Sequence, residues 1–514
     1  MTESVHHAVS RTTVPKAVLA VVALFGVSLA LGWPQRGTQA IVDELTHLET
    51  APGEATVSAP ALWMVLPFGA MLGCIALLPL IPATQHWWDS NSSKLKIAIG
   101  LSLLTLMYYG LMHRAPVEGH WPNHHLVQPV GPGAQTGFIR TILENAILQQ
   151  YVPFIVLLFS LYTISGGIRI EGDLTADPIT NASFLAAGAV LANLIGTTGA
   201  AMLLIRPLLE TNQERQHVRH TMVMFIFVVC NCGGLLLPLG DPPLFLGYLA
   251  GVPFLWTLRL WSAWALIVGL LLAIYVLLDQ FVFYHRETIA DIKRDIERTR
   301  KLKFSGWQLN APLLLGIVLA VAVLDPSKSF PGTAWHPWLY LREIVQLALV
   351  AISVHWGNQK VRDQNQFSFA AILEVAVLFI GIFVCMQPAL DILGVYGNQL
   401  GINTPARFFW ASGSLSSVLD NAPTYLVFFT AAQSMHAAEG VKLVAGVDPK
   451  ILAGISLGSV CMGAMTYIGN GPNFMVKAIA ERSGVRMPSF FGYMFYSFAI
   501  LLPVFALAVW QFLM

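Results

Sequence analysis

Charged residues are scarce in this 514-residue sequence: Asp, Glu, Lys and Arg together make up 11%, whereas hydrophobic residues make up 55%. A soluble domain of this composition would expose large apolar patches to water, which excludes the soluble globular class. The formal net charge is only +1, so the chain also lacks the basic surface expected of a nucleic-acid-binding protein. These absences leave a membrane protein as the remaining class.

The sequence also contains few cysteines, and we find no cleavage site of a leader peptide after its first apolar run. The five cysteines all lie in apolar segments, and the close pair Cys230 and Cys232 is too tightly spaced for a Cys-x-x-Cys motif. We therefore predict free, buried thiols. The apolar run 17–33 follows Arg11 and Lys16, but no small-residue cleavage site comes after it, which predicts an uncleaved first helix.

Apolar runs of membrane-spanning length recur along the whole chain. About 20 helical residues cross a hydrocarbon core of roughly 30 Å, and backbone polar groups in lipid must be satisfied within helices. We therefore predict an all-α polytopic membrane protein, without a loop large enough to be a receptor domain. The clearest predicted spans are 17–33, 61–83, 95–112, 258–284, 309–325, 368–386 and 486–513.

Two similar glycine- and proline-rich segments interrupt this apolar pattern. They read NCGGLLLPLGDPPLFLG at 231–247 and CMGAMTYIGNGPNFM at 461–475. Glycine permits a helix to unwind and proline prevents it from continuing, and the freed carbonyls can coordinate a hard cation such as sodium. We therefore predict two broken membrane helices. The glycines assigned to these breaks are Gly234, Gly240, Gly469 and Gly471.

Each interruption follows an earlier polar break at a similar distance. Asn193 precedes Asp241 by 48 residues, and Asn421 precedes Asn470 by 49 residues. Matched interruptions in two halves are typical of transporters built from inverted repeats, in which the breaks form a binding site near the bilayer midplane. The spacing therefore predicts a transporter of this kind.

The distribution of lysine and arginine predicts the orientation. Arg11 and Lys16 place the N-terminus in the cytoplasm, and the basic segment 285–307 is predicted to be a solvated, helical, cytoplasmic linker. The charge pattern is consistent only if 181–209 is a re-entrant hairpin, whereas 405–433 enters and returns on the outer side. One hairpin then opens inward and the other outward, which is the inverted-topology pattern.

These expectations divide one membrane domain into four parts. The outer loop 113–136 carries His113, His120, His124 and His125, which can bind metal or sense pH; an exposed polar loop is the reading that we favour. The predicted parts are residues 1–136, N-terminal transmembrane helices and the outer loop; 137–284, a first repeat with hairpin 181–209 and broken helix 220–257; 285–307, the cytoplasmic linker; and 308–514, a second repeat with hairpin 405–433 and broken helix 449–480.

Asp241 and Asp420 are the acidic residues set within the interruptions and hairpins. A carboxylate at membrane depth costs about 2.5–3.5 kcal/mol on insertion scales, so such a residue is a functional candidate by default. The structural alternative is an Asp that caps a half-helix, and a cap can also be a cation ligand. Burial favours a protonated carboxyl and bound sodium favours an ionised one, so either Asp can exchange a proton for a cation.

Neutral oxygen and amide groups surround both acids in the sequence, including Asn231 at the start of the first interruption. No resident metal or cofactor is predicted beyond transported Na⁺ and H⁺. The predicted cation- and proton-binding residues are Asp241, Asp420, Asn193, Thr197, Thr198, Asn421, Thr424, Asn470 and Asn473.

At these residues the chain resembles the ion transporter superfamily, and within it the putative citrate transport family and the NhaD-like sodium:proton antiporters. The resemblance covers about residues 140–510, so the first three spans and the outer loop look like additions. It implies two inverted repeats, each with a re-entrant hairpin and a broken helix, a scaffold that often forms a homodimer, and a transport domain that moves against it. The segments that carry it are TISGGI (163–168), NLIGTTGA (193–200), NCGGLLLPLGDPPLFLG (231–247), VLDNAPTY (418–425) and TYIGNGPNF (466–474).

The hairpin tips depart from one branch of this superfamily. Sodium–dicarboxylate carriers commonly have Ser-Asn-Thr there, whereas this chain has Asn193–Thr198 and Asp420–Thr424. An Asp beside a carboxylate substrate would repel it unless sodium or a proton intervened. The departure therefore favours exchange of a cation for a proton over dicarboxylate transport.

We predict a secondary active transporter of the inner (cytoplasmic) membrane, not an enzyme, that exchanges sodium or another monovalent cation for protons by alternating access. Its expected partners are small ions or a small anionic substrate and the lipid bilayer. The alternative is a cation-coupled citrate, dicarboxylate or oxyanion transporter, which the fold alone does not separate. An intramembrane aspartyl protease is disfavoured, because Pro238 replaces a glycine of its Gly-x-Gly-Asp motif and Pro388-Ala389-Leu390 precedes Asp420.

Overall fold

The computed structural model describes residues 13–47, 58–435 and 440–514. Most of the chain is α-helical, and four short strands form two small antiparallel sheets. Arg11, on which the predicted orientation partly rests, lies outside the described residues. The α-helices are α1 (Thr13–Ala30), α2 (Trp33–His47), α3 (Leu66–Leu77), α4 (Pro82–Trp88), α5 (Asn91–Leu111), α6 (Thr136–Leu143), α7 (Val152–Ser165), α8 (Pro178–Thr211), α9 (Arg219–Val228), α10 (Pro242–Leu249), α11 (Trp261–Leu278), α12 (Ile289–Arg298), α13 (Trp307–Val323), α14 (Leu341–Trp356), α15 (Gln359–Gln364), α16 (Ala370–Tyr396), α17 (Pro405–Ser416), α18 (Asn421–Gln433), α19 (Pro449–Cys461), α20 (Gly471–Arg482) and α21 (Phe490–Phe512).

Shorter elements connect several of these helices. The strands are β1 (Val117–Gly119), β2 (His125–Val127), β3 (Arg169–Asp173) and β4 (Arg300–Ser305), paired β1 with β2 and β3 with β4. Two π-helical stretches are Glu144–Tyr151 and Asp279–Phe283. The 3₁₀ turns are Leu62–Val65, Leu78–Leu80, Cys232–Leu235, Trp256–Leu260, Tyr284–Arg286, Gly397–Leu400 and Met462–Met465.

Seven helical stretches within the described ranges are long and apolar enough to cross a membrane, or eight if one bent pair is counted as a single span. The bent pair is Leu62–Leu77 with Pro82–Trp88, so the predicted span 61–83 is shorter than expected and ends at a proline-rich turn. The prediction of a helical, multi-pass membrane protein is confirmed. The seven stretches are Thr13–Ala30, Asn91–Leu111, Thr136–Ser165, Pro178–Thr211, Trp256–Arg286, Ala370–Leu400 and Phe490–Phe512.

The chain forms two compact units, each built from two separate stretches of sequence. The first comprises Met1–Gly167 with Leu309–Tyr396, and the second comprises Ile168–Gln308 with Gly397–Met514. Both glycine- and proline-rich interruptions and both predicted hairpins belong to the second unit. All residues predicted to bind a cation or proton therefore share one compact unit.

The first unit is held together by polar pairs between helices that are far apart in sequence. Lys94 Nζ on α5 lies 2.6 Å from Glu374 Oε1 on α16, and Tyr109 OH donates to Asp391 Oδ2 at 2.5 Å on the same helix pair. Gly381 allows close approach, because a Cβ there would lie 2.7 Å from that of Ala98. Helices α5 and α16 therefore pack closely along much of their length.

The linker of the second unit contains a strand that the sequence did not predict. Helix α12 begins after Thr288, whose hydroxyl accepts the Asp291 N–H, and β4 follows directly. Strand β4 pairs antiparallel with β3, with Arg169 opposite Ser305. The expected helix is present as α12, but the connector ends in a strand, because the backbone of β3 offers a ladder of hydrogen bonds to the segment RKLKFS.

A buried ionic network lies at the end of α11, and sequence analysis missed it. Asp279 is fully buried and accepts two hydrogen bonds from the Arg215 guanidinium, at 2.5 and 2.9 Å. His220 Nε2 lies 2.9 Å from one carboxylate oxygen, and Tyr275 OH donates to the other at 3.0 Å. The charge of Asp279 is thus compensated by a bidentate partner, the geometry that makes a buried ion pair tolerable.

Candidate ion-binding site

The first interruption ends one helix and starts another within 14 residues. Helix α9 stops at Val228, the 3₁₀ turn Cys232–Leu235 follows, and α10 resumes at Pro242. Asp241 occupies the N-cap position of α10 with an extended backbone at φ −143° and ψ 145°. Proline at the first helical positions supplies no N–H and fixes the start of the new helix there.

The second interruption repeats these features in the same order. Helix α19 stops at Cys461, the 3₁₀ turn Met462–Met465 follows, and α20 resumes at Gly471. Asn470 takes the N-cap position with φ −153° and ψ 139°. Asp241 and Asn470 are therefore local structural counterparts, each placed before a helix that has proline within its first two positions.

Each predicted hairpin is also interrupted at its centre. Helix α8 breaks at Gly196, where φ is +77° and ψ 155°, a conformation that favours glycine. Helices α17 and α18 are separated by residues 417–420, and Asp420 caps α18 by accepting the Ala422 N–H at 3.0 Å. Thr197 and Asn421 are the first residues after the two breaks, so both begin a half-helix.

These four segments converge on the carboxylate of Asp241, which is 1% exposed. Thr197 Oγ1 donates to Oδ1 at 2.9 Å, and Asn470 Nδ2 donates to the same oxygen at 3.1 Å. Asn421 Nδ2 donates to Oδ2 at 2.6 Å. Within the described part of the chain, all three of these donors are neutral and no basic side chain forms an ion pair with Asp241.

Three asparagines extend this cluster between the two interruptions. Asn231 Nδ2 donates to Asn473 Oδ1 at 2.7 Å, and Asn470 Nδ2 lies 3.3 Å from Asn231 Oδ1 and 3.0 Å from the Cys230 carbonyl. Asn473 Nδ2 in turn donates to the carbonyls of Gly463 and Thr466. The network places side-chain amides from both interruptions around unwound backbone.

Two of the remaining predicted residues, Asn193 and Thr424, form hydrogen bonds to the backbone of the interruptions and hairpins. Asn193 bridges α8 to the first interruption, because its amide donates to Gly233 O at 2.8 Å and its oxygen accepts the Leu236 N–H at 2.7 Å. Thr424 Oγ1 donates to the Asp420 carbonyl at 2.9 Å, and Thr198 is half-buried. Asn193 and Thr424 therefore contact the backbone.

One oxygen in the cluster has no hydrogen-bond partner. Asn421 Oδ1 is buried and unpaired, although the amide nitrogen of the same side chain contacts Asp241. A buried polar atom without a partner carries a free-energy cost of about 1–3 kcal/mol, and an amide oxygen is a good ligand for a hard cation. The arrangement provides a carboxylate and a neutral oxygen on neighbouring side chains, the ligand types that sodium prefers.

Some contacts of the site were not anticipated. Ser416 Oγ donates to Ser459 O on α19 at 2.6 Å, and Thr466 Oγ1 of the second interruption donates to Ser417 O at 2.5 Å. These hydroxyls fasten the end of α17 to α19 and to the second interruption. Trp264 Nε1 donates to the carbonyl of Gly233 in the first interruption at 2.9 Å. The Trp264 contact had no sequence signal, because a tryptophan in an apolar run is indistinguishable from one that faces lipid.

Glycines permit the tight fold of both interruptions, which leads to a test. A Cβ on Gly240 would collide with the Gly234 carbonyl oxygen, and a Cβ on Gly469 would lie 2.6 Å from that of Gly463. We expect Gly240→Ala and Gly469→Ala each to lower the free energy of unfolding by about 1–3 kcal/mol or more, because backbone must move. Thermal unfolding in detergent measures this.

Gly471 is the matched control, because a Cβ there would have nothing within 4 Å. We expect Gly471→Ala to change the free energy of unfolding by less than about 0.5 kcal/mol. Equal melting temperatures for all three alanine variants would contradict the proposed role of close backbone approach. Gly471 was assigned to the breaks with the others, so the experiment separates glycines needed for packing from one that is not.

The chain also matches a known protein family. A family model described as Putative citrate transport matches residues 57–513. The match begins well before residue 140, so the expectation that the second and third spans and the outer loop are additions is wrong; the first span lies before the matched region. No curated protein matches the chain.

Proposed function

Because the chain belongs to the family described as Putative citrate transport, we propose that this membrane transporter exchanges sodium or another monovalent cation for protons across the inner membrane. The exchange would work by alternating access, with the N-terminus in the cytoplasm. The observation that carries the proposal is the Asp241 carboxylate, which is buried among neutral donors at the meeting point of four helix ends.

The surroundings of Asp241 favour two neutralised states and disfavour a bare charge. A buried, ionised carboxylate without a cationic partner is costly, so the group is stabilised either by a proton or by a bound cation. Because the two compete for the same oxygens, binding of one expels the other. A single carboxyl therefore suffices for the coupling of an antiporter.

The neighbouring groups suit a small, hard cation. The unpaired Asn421 Oδ1 and the carboxylate oxygens of Asp241 are ligands of the right type. The half-helix beginning at Thr197 donates its first N–H to the Gly240 carbonyl at 2.9 Å, which fixes the hairpin tip against the interruption. We propose that both hairpins are re-entrant and that the two halves are inverted repeats, since this would bring both tips to the midplane.

Asp420 has a different proposed role within the same site. Its carboxylate caps α18 and thereby fixes the position of Asn421, the next residue along the chain. A cap of this kind can also bind a cation when the helix tip moves. We propose that Asp241 carries the exchanged proton and that Asp420 orients the second hairpin tip.

The alternative function is cation-coupled transport of citrate, another carboxylate or an oxyanion, which the family description favours. A carboxylate substrate would meet Asp241 at close range and would need a cation between the two negative charges. On this alternative, sodium is a cotransported ligand and no proton is released when it binds. The two functions thus differ in whether sodium binding moves a proton and in the need for an anion.

Reconstitution separates these functions. The purified protein is placed in vesicles with a trapped pH dye, and sodium, lithium, potassium or citrate is added outside in turn. We expect sodium or lithium alone to drive proton movement, with no requirement for citrate. Uptake of radiolabelled citrate together with sodium, and no proton movement on addition of sodium alone, would replace the antiporter with the alternative.

A further inference from the structure

A second cluster of ligating side chains lies in the first unit, on the β1–β2 hairpin. His120 Nδ1 and His124 Nδ1 are 3.0 Å apart, and Glu118 Oε1 lies 2.9 Å from His124 Nδ1. The three ligand atoms all lie within 4.8 Å of one another. The sequence argument places this loop on the outer side of the membrane.

Two of the three distances between ligand atoms are close to those of a transition-metal site. A tetrahedral zinc ion with bonds of about 2.0–2.2 Å holds its ligand atoms about 3.3 Å apart. The two short distances in the cluster are within a few tenths of an ångström of that value. Two imidazoles and one carboxylate form a ligand set that zinc and related ions use, with the fourth position open to water.

The ligands are held in place by hydrogen bonds from outside the hairpin. The backbone N–H of His120 donates to Asn145 Oδ1 at 2.7 Å, and Asn145 Nδ2 donates back to the backbone carbonyl of Glu118 at 2.9 Å. The backbone N–H of His124 donates to Glu44 Oε2 on α2 at 3.0 Å. These contacts fix the backbone of all three ligands, so little ordering is left for a metal to impose.

We propose that Glu118, His120 and His124 form a binding site for a divalent transition-metal ion, with zinc as the probe. A bound ion would fasten the β1–β2 hairpin, and through the Glu44 contact it would also restrain α2. The site is separate from the proposed exchange at Asp241, because its residues lie in a different compact unit. It does not depend on whether the chain transports sodium or citrate.

A calorimetric titration of the full-length protein tests this site. The protein carries no polyhistidine tag, is stripped with EDTA and is titrated in detergent with zinc alone. We expect one tight site per chain that weakens at least about 100-fold in His120→Ala and in His124→Ala, since the loss of an outer hydrogen-bond partner alone costs 10–100-fold. Cobalt serves as a second probe, because its visible absorption reports whether the ion has a low coordination number with nitrogen and oxygen ligands.

His125→Ala is the matched control, because His125 is adjacent to His124 and exposed but directs its Nδ1 at the Asn123 carbonyl, 3.0 Å away. We expect this variant to bind zinc like the original protein. The proposal would be overturned by the absence of a tight site or by zinc affinity in the His120 and His124 variants equal to that of the original protein. A loss in His125→Ala as large as that expected for the other two variants would overturn it as well. If a histidine variant melts early in EDTA, the isosteric Glu118→Gln decides: at least tenfold weaker binding supports the site, and unchanged binding refutes it.

Discussion

Replacement of Asp241 with Asn is expected to reduce sodium-driven proton movement to the level of protein-free vesicles. The amide keeps the size of the carboxyl but neither releases a proton nor carries a negative charge for a cation. The side chain also receives three neutral donors, so one of them will face the new NH₂ group and lose its acceptor. We therefore expect loss of exchange with a moderate fall in melting temperature.

Asp448→Asn is the control for this experiment. Asp448 caps α19 by accepting the Lys450 N–H at 2.7 Å, and Asn is an equally good cap, so the same chemical change is made outside the proposed site. We expect its exchange rate to equal that of the original protein. Preserved exchange in Asp241→Asn would contradict the assignment of the proton to this carboxyl.

The comparison with Asp420→Asn assigns roles within the site. If Asp420 acts as a cap, Asn preserves the cap and a substantial part of the exchange remains. If Asp420→Asn abolishes exchange while Asp241→Asn retains it, the proton is carried by the second hairpin and the roles proposed here are reversed.

Removal of the Asp279 side chain is expected to cause the largest loss of stability. Asp279→Ala leaves the Arg215 guanidinium buried without its bidentate partner, which costs about 3–5 kcal/mol in comparable pairs. His220 and Tyr275 lose an acceptor as well. Unfolding in detergent by heat or by increasing SDS measures the change.

Two further variants make this test specific. The double variant Arg215→Met with Asp279→Leu removes the bidentate pair, and we expect it to lose less than Asp279→Ala. Glu287 then loses the Arg215 contact at 3.6 Å but keeps hydrogen bonds from the backbone N–H groups of Gln216 and His217. Lys293→Ala removes one partner of the exposed pair with Glu297 and is expected to change stability by less than about 1 kcal/mol. If Asp279→Ala matched Lys293→Ala, the buried network would be unimportant for the fold.

The sequence predicted the helical membrane class because apolar composition and run length carry that information directly. It also found both interruptions, since glycine and proline act locally on the chain. It did not predict that Thr197, Asn421 and Asn470 contact one carboxylate, because these contacts depend on the packing of segments that lie 44, 180 and 229 residues from Asp241. The spacing argument paired Asn193 with Asn421, whereas the positions after the two breaks pair Thr197 with Asn421.

Other features were beyond the sequence for different reasons. Asp279 stands near the end of the predicted span 258–284, where an acidic residue is typical of the membrane interface, and its partner Arg215 is distant in sequence. Strand β4 has a mixed charged and apolar pattern that also suits a connector, and its partner β3 is 127 or more residues earlier in the chain. The outer-loop histidines were visible, but their convergence depends on the turn between β1 and β2.

The most direct test of the exchange mechanism is proton release on sodium binding to the purified protein in weakly buffered detergent solution. Sodium is added at constant ionic strength against choline, and the pH change is converted to protons released per chain. We expect about one proton per chain with sodium and none with choline, because one cation displaces one proton from the Asp241 carboxyl. Heat of sodium binding without any proton release would contradict the proposal and assign Asp241 to a cation site of a cotransporter.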